Sequence, residues 1–217
     1  MIKVVPSVLS ADFSKINKWL PEFEKAKADM IQWDIMDNMF VPNFGVDLKW
    51  IPILREKTKL FFDCHLMVEK PETYFEKLAN MDVESITFHI ETVKNPNETI
   101  KQIRDLGIGA GIAVNDGTSV DKILPFLHKV DIALVMTVKA GFGGQKFIET
   151  NLKKIEKIAS QIKKEDMICE IQVDGGVNLE TAKKAVLAGA DILVAGSFVF
   201  THKKGPKEAI LELKNLK

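Results

Sequence analysis

Two cysteines, Cys64 and Cys169, are all that 217 residues contain, and their spacing is neither that of a metal-binding cluster nor that of a redox motif. A disulfide framework is thereby excluded as the organising principle, and a reducing compartment is the expectation. Charge of either sign is also missing in excess, because Lys plus Arg and Asp plus Glu stand at 30 each. A balanced chain offers no electrostatic footprint for nucleic acid or for an anionic membrane surface. No apolar run reaches membrane-spanning length, and the opening Met-Ile-Lys-Val-Val-Pro reads as a strand and not as a leader. No Pro/Ser-rich linker, charge block or low-complexity tract interrupts the sequence. With 46% hydrophobic residues, one continuous core over residues 1–217 is expected, in a cytoplasmic protein whose partners are small molecules. Homo-oligomer formation is left open by composition.

What is present is an alternation. Short apolar or β-branched runs begin near Lys3, Met30, Leu60, Ser85, Gly109, Ile132, Cys169 and Asp191. Amphipathic helical patterns lie between them at 14–27, 71–80, 97–106, 119–127, 149–163 and 179–188, with lysine-rich outer faces. Eight βα units in this length predict an α/β fold with a parallel sheet closed into a (β/α)8 TIM barrel. A doubly wound open sheet is the alternative, but its Gly-x-Gly-x-x-Gly turn is missing after the first strand, where Pro6-Ser-Val-Leu-Ser10 stands.

In a barrel the chemistry gathers where strands end, and three late strands end in glycine: Val135-Met-Thr-Val-Lys-Ala-Gly-Phe-Gly-Gly-Gln-Lys-Phe147, Ile171-Gln-Val-Asp-Gly-Gly176 and Ile192-Leu-Val-Ala-Gly-Ser197. Successive glycine N–H groups can form an anion-binding concavity, although a single such loop is equally a simple turn. Strand two, Ile31-Gln-Trp-Asp-Ile-Met-Asp37, places Gln32, Asp34 and Met36 on one face by its period of two. Trp33 and Ile35 suit the helix layer, so Gln32 and Asp34 point inward. Strand three sends Asp63 and His65 inward by the same parity, and strand seven ends at Asp174. Imidazole with two carboxylates suits a divalent ion such as zinc, iron or manganese. An inward His is also at home as a hydrogen-bonded core residue, and Asp174 as a cap for the following helix. Met36, Met67 and Met136, near three strand ends, serve either as core filler or as a polarizable, water-poor wall beside the carboxylates.

Taken in order, Pro6-Ser-Val-Leu-Ser-Ala-Asp-Phe13, Asp34-Ile-Met-Asp37 with Phe40-Val-Pro-Asn43, Asp63-Cys-His-Leu-Met-Val68, Phe88-His-Ile-Glu91, Met136-Thr-Val138 with Gly141-Phe-Gly-Gly-Gln145, Val173-Asp-Gly-Gly176 and Ala195-Gly-Ser197 resemble the ribulose-phosphate 3-epimerase family across nearly the whole chain. The resemblance implies a TIM barrel that interconverts D-ribulose 5-phosphate and D-xylulose 5-phosphate, a step of the pentose phosphate pathway, with a divalent metal and two aspartates. Inverting C3 means removing a proton α to the C2 ketone and returning one to the other face, so two acid/base groups must flank a planar enediolate. By family match these are Asp34 and Asp174. The metal ligands carried over are Asp34, His65 and Asp174, with Gln32 at a fourth position. Ser7 matches a residue that hydrogen-bonds the substrate. His65, Met36, Met67 and Met136 surround it, while Gly141, Gly143, Gly144, Gly175, Gly176, Gly196 and Ser197 match the phosphate cradle and the loop at 141–145 that closes over the sugar.

Four positions depart from the family pattern. Gln32 stands where the family has a histidine ligand, so the site is expected to hold zinc less tightly and to suit a harder ion such as manganese or magnesium. Asp63 is a candidate to orient His65 by an outer hydrogen bond. Asn38 replaces a glycine, an exchange that asparagine's access to the left-handed region permits. Lys139-Ala140 and Asn115-Asp-Gly-Thr-Ser119 each lack the family's prolines, which loosens two loops, and Lys139 is either a cation near the phosphate or a solvated surface residue. Two further readings stay open: an epimerase of another ketose phosphate, and a non-catalytic barrel that binds sugar phosphates. The Asp-x-Lys-x-x-Asp of the related decarboxylases is absent from strand three.

Overall fold

The computed structural model describes residues 2–216. Eight parallel strands run β1 (Lys3–Pro6), β2 (Met30–Met36), β3 (Phe61–Met67), β4 (Ser85–His89), β5 (Gly109–Val114), β6 (Ile132–Met136), β7 (Glu170–Asp174) and β8 (Ile192–Ala195). Each begins within one residue of its expected position. They form a single sheet in the order β1-β8-β7-β6-β5-β4-β3-β2, and the parallel bridge Ser7 to Gln32 brings its two edges together. The (β/α)8 barrel expected from the alternation is the observed fold.

Helices α1 (Ile16–Lys25), α2 (Trp50–Arg55), α3 (Phe75–Ala79), α4 (Pro96–Asp105), α5 (Leu152–Glu165), α6 (Leu179–Ala188), α7 (Ser197–Phe200) and α8 (Pro206–Lys214) surround it. In α1, Ile16, Trp19, Leu20 and Phe23 recur at helical spacing and are the residues buried. Each large side chain so buried contributes about 1.5–3 kcal/mol to holding the helix on the barrel. The helix expected at 119–127 is instead two 3-10 turns, Val120–Lys122 and Leu124–Lys129. Pro125 is the reason: it lacks an N–H and disfavours α geometry at the residue before it. The pattern at 71–80 likewise opens as a 3-10 turn, Pro71–Thr73, before α3 begins.

The barrel interior is layered, and the layering positions the site. Val5, Met30, Ile132, Ile192 and Val194 form an apolar floor. Above it, register pairs Gln32 with Asp63 and Asp63 with Ser85, and then Asp34 with His65 and His65 with Thr87. Met36, Met67, Met136, Leu134, Val41 and Val138 pack together over these polar residues. The polar layers are thus enclosed by apolar ones except at the loop-bearing end.

Candidate active site

Asp34, His65 and Asp174 come together at the carboxyl end of the strands, each offering a ligand atom, with all three atoms within 4.8 Å of one another. His65 Nδ1 lies 3.0 Å from Asp34 Oδ1 and 3.5 Å from Asp174 Oδ2. Ser7, just past β1, donates to Asp34 Oδ2 at 2.5 Å. Asp34 and His65, which parity sends inward, and Asp174, at the end of strand seven, lie together.

Gln32 lies among them, but with its nitrogen forward. Its Nε2 donates to Asp34 Oδ1 at 2.8 Å and to Asp174 Oδ2 at 2.7 Å, while its Oε1 faces Gln172 Nε2 at 3.3 Å. Gln172 also donates to Asp63 Oδ2 at 2.9 Å, and Ser85 Oγ donates to Asp63 Oδ1 at 2.6 Å. Asp63 therefore belongs to the layer beneath, and the expectation that it orients His65 does not hold. Residues two apart on a strand stand about 6.6 Å from one another along it, and each meets its own cross-strand partners.

The partner of His65 is His89, at the end of β4, with the two Nε2 atoms 2.9 Å apart. His89 Nδ1 lies 3.1 Å from Glu91 Oε2. Glu91 accepts only, so His89 carries its proton on Nδ1. Burial, reinforced by the nearby His65 charge, lowers the His89 pKa to about 4 and leaves its Nε2 bare. His65 must then donate from Nε2, which turns Nδ1 toward the two carboxylates. A ring so fixed presents a protonated Nδ1 to Asp34, or a bare Nδ1 to a cation. Burial works to lower the His65 pKa, but hydrogen bonds to Asp174 and Asp34 outweigh it and raise it to about 9. Burial and the neighbouring Asp34 raise Asp174 above the ordinary aspartate range, with His65 and Gln32 pulling it back. For Glu91, burial is overcome by the His89 bond and by the Asn115 N–H, which hold it down near 2. Imidazole nitrogen with two carboxylates is a donor set that fits a divalent ion, and it supplies three protein ligands without the amide.

Over this group opens a cleft lined by Ser7, Asp34, Asp174, the three methionines and the glycine loops at 141–144, 175–176 and 196–197. His65 and Gln32 are fully buried beside Asp34 and Asp174 and do not line it. Backbone N–H groups of Gly144, Gly176, Gly196 and Ser197 find no acceptor among the described residues. All four residues line the cleft, and backbone N–H groups left free in this way can form an anion-binding concavity. Gly176 holds φ +66°, and a Cβ there would lie 2.5 Å from the Phe147 amide nitrogen, so only glycine fits. The loop at 141–145 is tied to itself by Gln145, whose Nε2 donates to the carbonyls of Lys139 and Phe142, each at 2.7 Å. Asn38 does take the left-handed conformation, with φ 59°. Ser10, whose hydroxyl stands between Gly143 and Gly196, lines the cleft and was not foreseen, although it sits in the quoted motif after β1. His89 and Glu91 were visible as Phe88-His-Ile-Glu91, but only the cross-strand register shows which residue they serve.

A TIM barrel with two inward carboxylates, a divalent-ion donor set and a glycine-lined anion cradle at its carboxyl end defines a barrel enzyme of acid/base chemistry on phosphorylated substrates. The family model described as "Ribulose-phosphate 3 epimerase family" matches residues 3–200. The chain is 40% identical over 220 residues to a ribulose-phosphate 3-epimerase of Bacillus subtilis, covering all of both chains. It is 38% identical to the cytoplasmic isoform from Oryza sativa over 98% of this chain and 92% of the relative. This chain belongs to the ribulose-phosphate 3-epimerase family. Among solved structures, KGPDC from Streptococcus mutans superposes with a TM-score of 0.73 over 99% of this chain and 96% of that one, at 16% identity, which bears on the fold alone. No helix among the described residues is long and apolar enough to cross a membrane.

Proposed function

We propose that this chain interconverts D-ribulose 5-phosphate and D-xylulose 5-phosphate by two-base proton transfer at C3, with Asp34 and Asp174 as the bases. The observation that carries this reading is the pair of carboxylates brought together by a shared donor, Gln32 Nε2, at 2.8 and 2.7 Å, in a cleft whose lining also includes glycines with free backbone N–H groups. One carboxylate takes the C3 proton, the electron pair moves toward the C2 oxygen, and the other group delivers a proton to the opposite face. One aspartate must be ionised and the other protonated in each direction. The upward shift of Asp174 keeps a proton available there to a higher pH than an ordinary aspartate would.

Ser7, bonded to Asp34, orients that carboxylate and is placed to meet a substrate hydroxyl. Gly144, Gly176, Gly196 and Ser197 hold the phosphate through backbone N–H groups, and Met36, Met67 and Met136 keep water from the reacting carbons. A divalent ion held by Asp34, His65 and Asp174 supplies, when bound, positive charge for the oxygens on which negative charge develops. Zinc, iron, manganese and magnesium all remain compatible with these ligands. A cytoplasmic location is part of the same reading.

A binding-only barrel accounts poorly for two enclosed carboxylates, whose mutual repulsion is unfavourable without a cation or a reaction to serve. Replacing Asp34 or Asp174 by Asn tests the proposal. Turnover of D-ribulose 5-phosphate should fall at least about 10³-fold in each variant, with affinity for a phosphorylated competitive inhibitor nearly kept. Full turnover in both variants would end it.

A further inference from the structure

At position 32, where the resemblance implies a histidine ligand, this chain has Gln32, and the surrounding hydrogen bonds decide which end of that amide faces the carboxylates. Asp63 is fully buried on β3, and Gln172, equally buried on β7, donates to it. The same Gln172 nitrogen reaches Gln32 Oε1. Turning Gln172 over would set its carbonyl oxygen against Asp63. Turning Gln32 over would set its oxygen against both Asp34 and Asp174, which already receive its N–H groups. The two amides are therefore locked in one orientation, running from Ser85 through Asp63 and Gln172 to Gln32. With these carboxylates ionised, the alternative orientation sets oxygen against oxygen at Asp63, Asp34 and Asp174 and forfeits those hydrogen bonds, while the observed one leaves Gln172 Oε1 buried without a partner.

We propose that Gln32 is a positioning residue that donates to both acid/base carboxylates, and that a divalent ion in this chain takes only Asp34, His65 and Asp174 as protein ligands. The inference rests on the epimerase reading for the role of the two aspartates, but the donor geometry does not. Both N–H groups of Gln32 are spent on Asp34 and Asp174, and its oxygen faces Gln172, so the amide offers no lone pair to an ion that these carboxylates would hold. In the metal-free protein it takes over part of the ion's task by keeping the two carboxylates together. A histidine at this position would add a ligand. The glutamine removes one and supplies a neutral, metal-independent link in its place.

Two readouts separate this role from that of a ligand and from a merely structural one. The full chain, stripped with chelator, is loaded with cobalt(II), whose visible absorption reports the set of protein ligands, and steady-state kinetics with D-ribulose 5-phosphate are recorded. The same is done for Gln32→Met. Gln32→Met should keep the cobalt spectrum of the unaltered chain, while kcat falls by about fivefold or more, with KM nearly kept, because Asp34 and Asp174 lose their common donor. A changed cobalt spectrum would make Gln32 a ligand and overturn the proposal, and an unchanged spectrum with unchanged kcat would leave it a merely structural residue and overturn it too. If Gln32→Met does not fold, Gln32→Asn, one methylene too short to span both carboxylates, takes its place with the same outcomes. Proton exchange at C3 in the unaltered chain is scored separately. Its absence would count against the epimerase reading and leave the cobalt result standing as evidence on Gln32.

Discussion

Raising the pH from 6.5 to 9 should destabilise the metal-free protein, and the cause is one imidazole. His65 is fully buried, and its bonds to Asp174 and Asp34 lift its pKa from 6.5 in the unfolded chain to about 9 in the folded one. Between those values the folded state binds more protons than the unfolded state, so stability falls as pH rises. Two and a half units correspond to about 3 kcal/mol. For a chain of this length that is roughly 6–12 °C in Tm. His89 works in the opposite sense at lower pH: its pKa is depressed to about 4, so the unfolded chain takes the proton first and stability is lost as pH falls from 6.5 toward 4. Asp174 and Asp63, both raised by burial, act in the same sense as His65, each losing its contribution as pH climbs above the ordinary aspartate range. The assay is thermal unfolding in excess chelator at pH 5, 6.5, 8 and 9, repeated with saturating zinc. A ligating imidazole gives up its proton, so zinc should stabilise more as pH rises and flatten the alkaline fall. A metal-free Tm that holds steady or climbs between pH 6.5 and 9 would refute the charged His65 and the hydrogen-bond arrangement deduced from it.

Ser7→Ala should lower kcat/KM for D-ribulose 5-phosphate by about 5–150-fold, the range expected when a buried carboxylate loses a charge-assisted donor of about 1–3 kcal/mol; steady-state kinetics with unchanged values would remove Ser7 from the machinery. Gly176→Ala should raise KM while destabilising the fold by about 1–3 kcal/mol, since the residue needs φ +66° and its Cβ would meet the Phe147 backbone. A normal inhibition constant for inorganic phosphate in that variant would place the phosphate elsewhere.

The strands were legible because parallel barrel strands are short, apolar and bounded by turns, and the strict alternation in β2 and β3 fixed which side chains face inward. Helices were less so. The stretch at 119–127 carries an amphipathic pattern, yet Pro125 withholds an N–H and yields 3-10 turns. In the site, Asp34 and His65 could be named because parity and the family motifs agree, and Asp174 because it ends strand seven within a family motif. Orientation could not. Asp63 shares parity with His65, but its partners Ser85 and Gln172 come from other strands, and nothing local in the sequence says that His89 reaches the outer nitrogen of His65. Position 32 shows the limit most clearly. A glutamine in place of a histidine reads as a weaker ligand, while Gln172, 140 residues away, turns its oxygen from the site.

The most direct test of the two-aspartate account is to incubate the purified chain, with added zinc or manganese, with D-ribulose 5-phosphate in D2O and follow the C3 proton by NMR. The account predicts loss of the C3 proton signal together with the appearance of xylulose 5-phosphate carrying deuterium at C3, both abolished in Asp174→Asn. Retention of the C3 proton with no xylulose 5-phosphate would contradict it.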